Sequence, residues 1–407
     1  MLRSCHTDCS VPGANCLYVR LHLSVSLIYV TCMQCIHGRC FPLTETDASK
    51  KSKLIPGRGA VQNPVGRFES FDLERGEYAQ EIPADDTDVS FSPRTKFYRD
   101  HSVSVLTSND SPDVDFNFSV NPYRGCEHGC IYCYARPSHE FLGLSAGLDF
   151  ETKIFVKEKA PELLRKALLA KSWNPQVISL SGVTDCYQPV ERRLKITRGC
   201  LEVLADFRNP FVIITKNHLV TRDIDLIGEM AGRRGAKVFL SITSLDTELI
   251  AKMEPRTSRP SMRLDAIRKL AAAGIPVGVL IAPVIPALTD HEIPAILKAA
   301  AEAGATEAEF TILRLPYGLS DLFAGWLGEH FPDRKEKILK RVRELRGGKM
   351  NDAHFGSRMR GEGIFADQIR ALFRLNARKY GLSERGAELV AEYFRRVEDS
   401  NQLSLFE

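Results

Sequence analysis

Three cysteines, Cys126, Cys130 and Cys133, fall close together in residues 121–140, NPYRGCEHGCIYCYARPSHE. Thiolates separated by three residues and then two can reach three corners of one small inorganic cluster. Gly125 and Gly129 permit backbone geometry that other residues resist, so that amides can point at sulfur. A four-iron cluster normally takes four cysteines. No fourth follows nearby, which would leave one iron open to a substrate or cofactor. Zinc is the competing reading, with His128 or a distant residue as fourth ligand. Zinc ligands usually come as two separated pairs, and the core offers no second CxxC and no HxxxH.

Such a loop needs a frame, and a strand–helix rhythm supplies one. A strand at 114–120 delivers the chain to Cys126. Apolar, β-branched runs follow at 177–181 (VISLS), 211–215 (FVIIT), 237–243 (KVFLSIT), 276–282 (PVGVLIA) and 309–313 (EFTIL). Helical patterns separate them at 194–207, 223–233, 264–273 and 291–303. Short continuous apolar strands between amphipathic helices predict a parallel sheet covered by helices. With the first strand this makes about six β/α units. The expected fold class is α/β, a partial (β/α)6 barrel of the TIM type with a helical C-terminal extension. Side chains that do chemistry gather at the carboxyl edge of such sheets. There stand Thr184 and Asp185, Lys216 and Asn217, Thr243 and Ser244, Pro283, and Arg314. The tail is expected as helices at 319–330, 334–345, 364–379 and 385–397, with a loop at 346–363. Upstream, a strand is expected at 102–107, where Val103 and Val105 alternate with serines.

The chain has 407 residues, 44% hydrophobic and 26% charged, as in soluble globular proteins. A net charge of +4 is too small to argue nucleic-acid binding by itself. Of eleven cysteines, six lie in the first forty residues, and the core shows no evenly spread disulfide framework. The arrangement Cys32, Cys35, His37, Cys40 offers a zinc pattern in that extension, against which stands a poorly folded segment. The most apolar stretch, 17–31, contains Arg20 and His22 and falls short of the roughly 18 apolar residues of a membrane span. A cytoplasmic protein without a membrane partner is expected.

The motif Cx3CxYC, with an aromatic before the last cysteine, resembles the signature of radical S-adenosylmethionine (SAM) enzymes. The resemblance spans about residues 114–316. It implies a [4Fe-4S] cluster on Cys126, Cys130 and Cys133, with SAM chelating the open iron. One-electron reduction, by an external donor of flavodoxin or ferredoxin type, would cleave SAM to a 5′-deoxyadenosyl radical that abstracts hydrogen from substrate. Tyr132 would lie near the adenine. Within the superfamily, NPYRGCEHGCIYCYAR, ITKN, SITSLD, EPRTSRP and RLDAIRKL resemble the spore photoproduct lyase branch and its uncharacterised bacterial relatives. Lys216 and Ser241 then fall where that branch contacts SAM, with Thr184 in GVTD as a further candidate. That branch returns a hydrogen atom to its substrate from a cysteine near the end of the 177–181 strand. Here Gly182 takes the approximate place and Cys186 follows Asp185. Cys186 is therefore a candidate catalytic thiol, and a buried structural thiol is the alternative.

The domains expected are a poorly ordered cysteine-rich extension (1–60), an extended lead-in (61–113), a radical SAM core (114–318) and a helical C-terminal region (319–407). The substrate is unidentified. Kinship with a DNA-lesion lyase suggests nucleic acid, as lyase-like repair or modification. An iron–sulfur electron carrier or redox sensor without SAM chemistry is the alternative function. A carrier seldom needs six β/α units with a polar rim. Arg256, Arg259, Arg263 and Arg314 suit phosphate or carboxylate recognition, but surface ion pairs satisfy the same pattern. They receive no role from sequence.

Overall fold

The computed structural model describes residues 55–68, 94–384, 386 and 388–397 in full, and 17–24, 27–36 and 39–42 by their backbone. Two compact units divide the chain, Met1–Ser52 and Lys53–Glu407. In the first, where a poorly ordered extension is expected, strands Leu17–Ser24, Leu27–Ile36 and Arg39–Pro42 form an antiparallel meander. Its register sets Cys35 opposite Cys40. His37 and the side chains of Cys32, Cys35 and Cys40, the zinc pattern, lie outside the described residues.

The second unit is a mixed α/β fold on a seven-stranded sheet. Its strands are β1 (Leu106–Ser108), β2 (Phe118–Val120), β3 (Ile178–Leu180), β4 (Phe211–Thr215), β5 (Ala236–Ser241), β6 (Val277–Val284) and β7 (Glu307–Ile312). They lie side by side in chain order, β2 to β7 all parallel, with β1 antiparallel to β2. Among the described residues β2 and β7 are not paired with each other, so the sheet is open. The connections are α1 (Ala160–Leu169), α2 (Ile196–Phe207), α3 (Ile224–Ala231), α4 (Thr247–Met253), α5 (Pro260–Ala272) and α6 (Ile293–Glu302). Helix α4, unanticipated from the pattern, starts where Asp246 accepts from the amides of Glu248 (2.8 Å) and Leu249 (3.2 Å). Proline near the N-terminus of α1, α5 and α6 presets the helical backbone angle.

One face of the sheet lies under these helices. Leu180, Phe211, Ile213, Val238, Leu240, Val279 and Ile281 pack with Leu164, Leu201, Ile227, Leu270 and Ile296 from the helices. A second core beneath the cysteine loop joins Ile131 and Tyr132 to Ile250 and Met253 of α4 and to Leu319, Phe323 and Trp326 of α7 (Leu319–His330). No helix among the described residues is long and apolar enough to cross a membrane.

Two expectations are corrected. The strand at 102–107 is shorter and later, because the Asp100 carboxylate accepts from the amide (2.7 Å) and hydroxyl (2.5 Å) of Ser102 and turns the chain. Val103 is exposed and Val105 buried. The last expected helix, 385–397, does not form over the described residues 388–397. That stretch is an irregular strap whose groups bond to the chain just before the strands begin. The Val390 amide donates to Arg234 O (3.0 Å) and that of Arg395 to Phe207 O (2.9 Å). Arg396 donates to Trp173 O (3.1 Å). Upstream of the strap, Ser383 bridges to Glu307, the first residue of β7. Partners on the sheet's amino edge replace the helix's own carbonyls, which periodicity cannot reveal. Helices α8 (Lys335–Glu344) and α9 (Ile364–Lys379) match expectation, and the loop between them holds one short turn, Ser357–Arg360.

Gly278 in β6 is where two strands need the space of a missing side chain. A Cβ there would stand 2.4 Å from Cε1 of the buried Phe239 ring. Gly278→Ala should therefore lower urea stability by about 1–3 kcal/mol. The same change in a Phe239→Leu background should cost clearly less. Equal losses in both backgrounds would mean the ring is not the obstacle.

Candidate active site

The cysteine loop leaves β2 at the carboxyl edge and is tied there at once. The Asn121 side chain accepts from the amides of Val183 (2.9 Å) and Thr184 (3.3 Å) beyond β3. Gly125 and Gly129 have φ of 78° and 66°, and a Cβ on Gly129 would meet the Glu151 carboxylate at 2.7 Å. Both positions demand glycine. Successive turns, Gly129 N to Cys126 O (3.4 Å) and Cys133 N to Cys130 O (3.2 Å), shape the loop that carries the three cysteines. Cys126 and Cys130 are buried and Cys133 is half-buried; all three are free thiols.

Arg136, wholly buried, holds this loop from within. It donates to the carbonyls of Cys130 (2.9 Å), Gly129 (3.1 Å), Ala146 (3.1 Å) and Gly147 (2.9 Å), and pairs with buried Glu151 at 2.5 Å. Glu151 also accepts from the amides of Gly59 (3.1 Å) and Ala60 (2.9 Å), so that the 55–68 segment lies against the loop. The fit there leaves no room for a side chain, since a Cβ on Gly59 would lie 1.8 Å from Gly129 O.

The donor set suits an iron–sulfur cluster. His128, the candidate fourth zinc ligand, is engaged on both nitrogens. Nδ1 faces Asp185 at 3.3 Å and Nε2 lies 3.2 Å from the Asn217 amide. Burial opposes a charge on His128, but Asp185 overrides it and pushes the pKa up to about 10. Soft thiols without a free imidazole favour iron–sulfur chemistry. Burial pushes the Cys130 and Cys133 thiols up, and a bound metal would draw them toward thiolates.

Opposite the loop, the ends of β4, β5 and β6 bring Lys216, Ser241 and Ala282 together. Lys216 Nζ lies 2.8 Å from Ser241 Oγ and 3.3 Å from Ala282 O, and 5.8 Å from the centre of the Tyr132 ring. The Tyr132 hydroxyl meets Thr243 Oγ1 at 3.2 Å and donates to Glu254. Lys216, Ser241 and Tyr132 are thus brought together. Thr184 is not: it is buried at the loop's base, its hydroxyl donating to Tyr123 O at 2.9 Å. Cys186 is wholly buried in the main core, its amide bonded to Ser181 Oγ (3.0 Å) and its carbonyl to Thr197 Oγ1 (2.6 Å). Burial pushes its thiol well up, so it is a neutral core group.

Glu254 and Arg263 are site residues without an assigned role in the sequence. Both are wholly buried and paired, and Arg263 also donates to Ser241 O at 2.9 Å. The signal available was the EPRTSRP stretch, which carries Glu254. Burial would raise the Glu254 pKa, but Arg263 and then Lys216 hold it down at about 2.

The stability that Glu254 contributes is present above its ordinary pKa of 4.5 and lost as pH falls through about 2. A gap of that size is worth on the order of 3 kcal/mol. Glu254→Gln should flatten the fall in urea stability between pH 4.5 and 2. It should also cost roughly 3–5 kcal/mol at pH 7, by leaving Arg263 buried and unpaired. Parallel acid limbs for wild type and variant would remove Glu254 from this account.

Residues 120–300 match the family model described as the radical SAM superfamily. Uncharacterized protein Rv2578c of Mycobacterium tuberculosis is 38% identical over 234 residues, covering 57% of this chain and 68% of that protein. Uncharacterized protein MJ0683 of Methanocaldococcus jannaschii is 32% identical over 175 residues, 43% of this chain and 63% of that one. Among solved structures, a spore photoproduct lyase complexed with dinucleoside spore photoproduct aligns with a TM-score of 0.50 at 17% identity, over 70% of this chain and 80% of that one. A mutant lyase with bound AdoMet and the same dinucleoside gives 0.51 at 16% over the same shares. At such identity the likeness is one of fold.

Proposed function

This chain belongs to the radical SAM superfamily, and we propose that it is an enzyme that abstracts hydrogen from its substrate with a radical made from SAM. The superfamily's members are enzymes that use a [4Fe-4S] cluster and SAM, and generally need an external reductant. Flavodoxin or ferredoxin is the donor type proposed here. When bound, the cluster and SAM supply a 5′-deoxyadenosyl radical. Cys126, Cys130 and Cys133 are the cluster ligands in this reading. Lys216, Ser241 and Tyr132 bind and orient SAM, and Glu254 positions Tyr132 and Lys216.

One observation carries the reading. A glycine-shaped loop with three free thiols and a fixed Tyr132 lies beside a Lys216–Ser241 pair at one edge of an open parallel sheet. An electron carrier has no use for that second half. Six neighbouring parallel strands in chain order support a partial (β/α)6 barrel. The buried Thr184 hydroxyl supports a role in holding the loop rather than in touching SAM, and the burial of Cys186 supports packing rather than hydrogen return. The fold shared with spore photoproduct lyase supports, by analogy, a nucleic-acid substrate for repair or modification.

Protein purified without oxygen should be brown, and with dithionite and SAM it should release 5′-deoxyadenosine. Cys130→Ala should be colourless. Brown protein that leaves SAM intact would sink the enzyme reading. Lys216→Ala should keep the cluster's visible absorbance yet weaken SAM binding by roughly ten- to a hundredfold, as expected for a lost charge-assisted hydrogen bond. An unchanged SAM affinity would place Lys216 outside the site.

A further inference from the structure

Tyr134 directly follows the third cysteine and is half exposed, and its phenol donates to the carbonyl of Gly182 just past β3. Arg314, just past β7, holds its guanidinium 6.0 Å from the centre of the Tyr134 ring. These groups form an arc across the rim from β7 back to β3, one residue away from a candidate iron ligand.

Arg314 is half-buried yet has no carboxylate within ion-pair distance among the described residues. Among the described residues its Nε is shielded from solvent without a hydrogen-bond partner, and its fork donates from Nη1 to Met359 Sδ at 3.6 Å. A thioether is a weak acceptor. The nearby acids are occupied. Asp113 takes Arg358 and the amide of Gly356 (2.6 Å). Asp352 takes the Ser357 hydroxyl (2.5 Å) and the His354 amide (2.9 Å). Arg346 uses its fork on the carbonyls of Ile312 (3.4 Å), Leu313 (2.6 Å), Ser357 (3.1 Å) and Arg358 (2.8 Å). That bonding pins the loop between α8 and α9 to the end of β7 and stands Arg358 near Arg314. Burial, and then the like charge of Arg358, press the Arg314 pKa below its ordinary value. A half-buried guanidinium whose hydrogen bond among the described residues goes to a thioether keeps donors open to an oxyanion.

We propose that Arg314 anchors an oxyanion of the substrate, a phosphate or a carboxylate, beside Tyr134. A guanidinium fork takes two oxygens of either group. The inference rests on the radical SAM reading and adds the substrate's charge and the point at which it is held.

The test is calorimetric titration of the anaerobically purified full chain with inorganic phosphate and, separately, with acetate. Wild type should bind at least one of them. Tighter binding of phosphate marks a phosphoryl-bearing substrate, and tighter binding of acetate a carboxylate. Arg314→Gln should weaken that binding about tenfold or more, and Arg314→Lys, which keeps charge without the fork, by less. Thermal unfolding serves as the control for folding, and Arg314→Gln should be no less stable than wild type because it removes an unpaired charge. Binding unchanged by Arg314→Gln, or absent from wild type, overturns the proposal. So does a loss of SAM affinity in that variant, which would assign the guanidinium to the cofactor. Release of 5′-deoxyadenosine by wild type is scored separately. Release without Arg314-dependent anion binding defeats this inference alone, and anion binding without release defeats the enzyme reading.

Discussion

The buried ion pair of Arg136 and Glu151 is the constraint on which the cysteine loop depends. A loop that must leave its thiols free for metal cannot use those side chains to hold itself in shape. Its backbone carbonyls must be gripped from elsewhere, and one guanidinium grips two of them, at Gly129 and Cys130. Glu151 neutralises that guanidinium and, through Gly59 and Ala60, recruits a lead-in segment over ninety residues earlier in the chain. A buried pair of this kind contributes less to net stability than to uniqueness, because losing either partner strands a charge in the interior.

Two further buried pairs fix the remaining boundaries of the site. His128 and Asp185 join the loop to the chain beyond β3, and Asp185 in turn accepts from the Lys216 amide at 2.8 Å. Glu254 and Arg263 join α4 and α5 to the end of β5. The first of these pairs ties elements distant in sequence, and the second ties two consecutive helices to a strand end.

The parts legible in the sequence were those written in local pattern. The apolar runs at 211–215 and 276–282 are strands because burial on both faces requires continuity. The Cx3CxYC spacing with two glycines announced the loop, and Lys216 and Ser241 could be placed at strand ends. What could not be read depends on partners far along the chain. Arg136 looks like any arginine after a loop until its carbonyl acceptors are seen. Cys186 and Thr184 share a strand end, and whether such residues face the rim or the core depends on a turn at Ser181, whose φ is 79°. The stretch expected as a helix at 385–397 has helical periodicity, but its described residues 388–397 find hydrogen-bond partners on the sheet's amino edge instead.

That strap bears on how the molecule assembles. Its contacts to the chain before β3 and β4 close loops of 189 to 226 residues, and pairings so distant in sequence form late and slowly in folding. The cysteine loop, its brace and the strands that face it can therefore come together first, while the opposite edge of the sheet is still uncovered. Until the strap docks, that bare edge is the surface most exposed to aggregation. The cysteine loop and the strap thus stand at opposite ends of the strands.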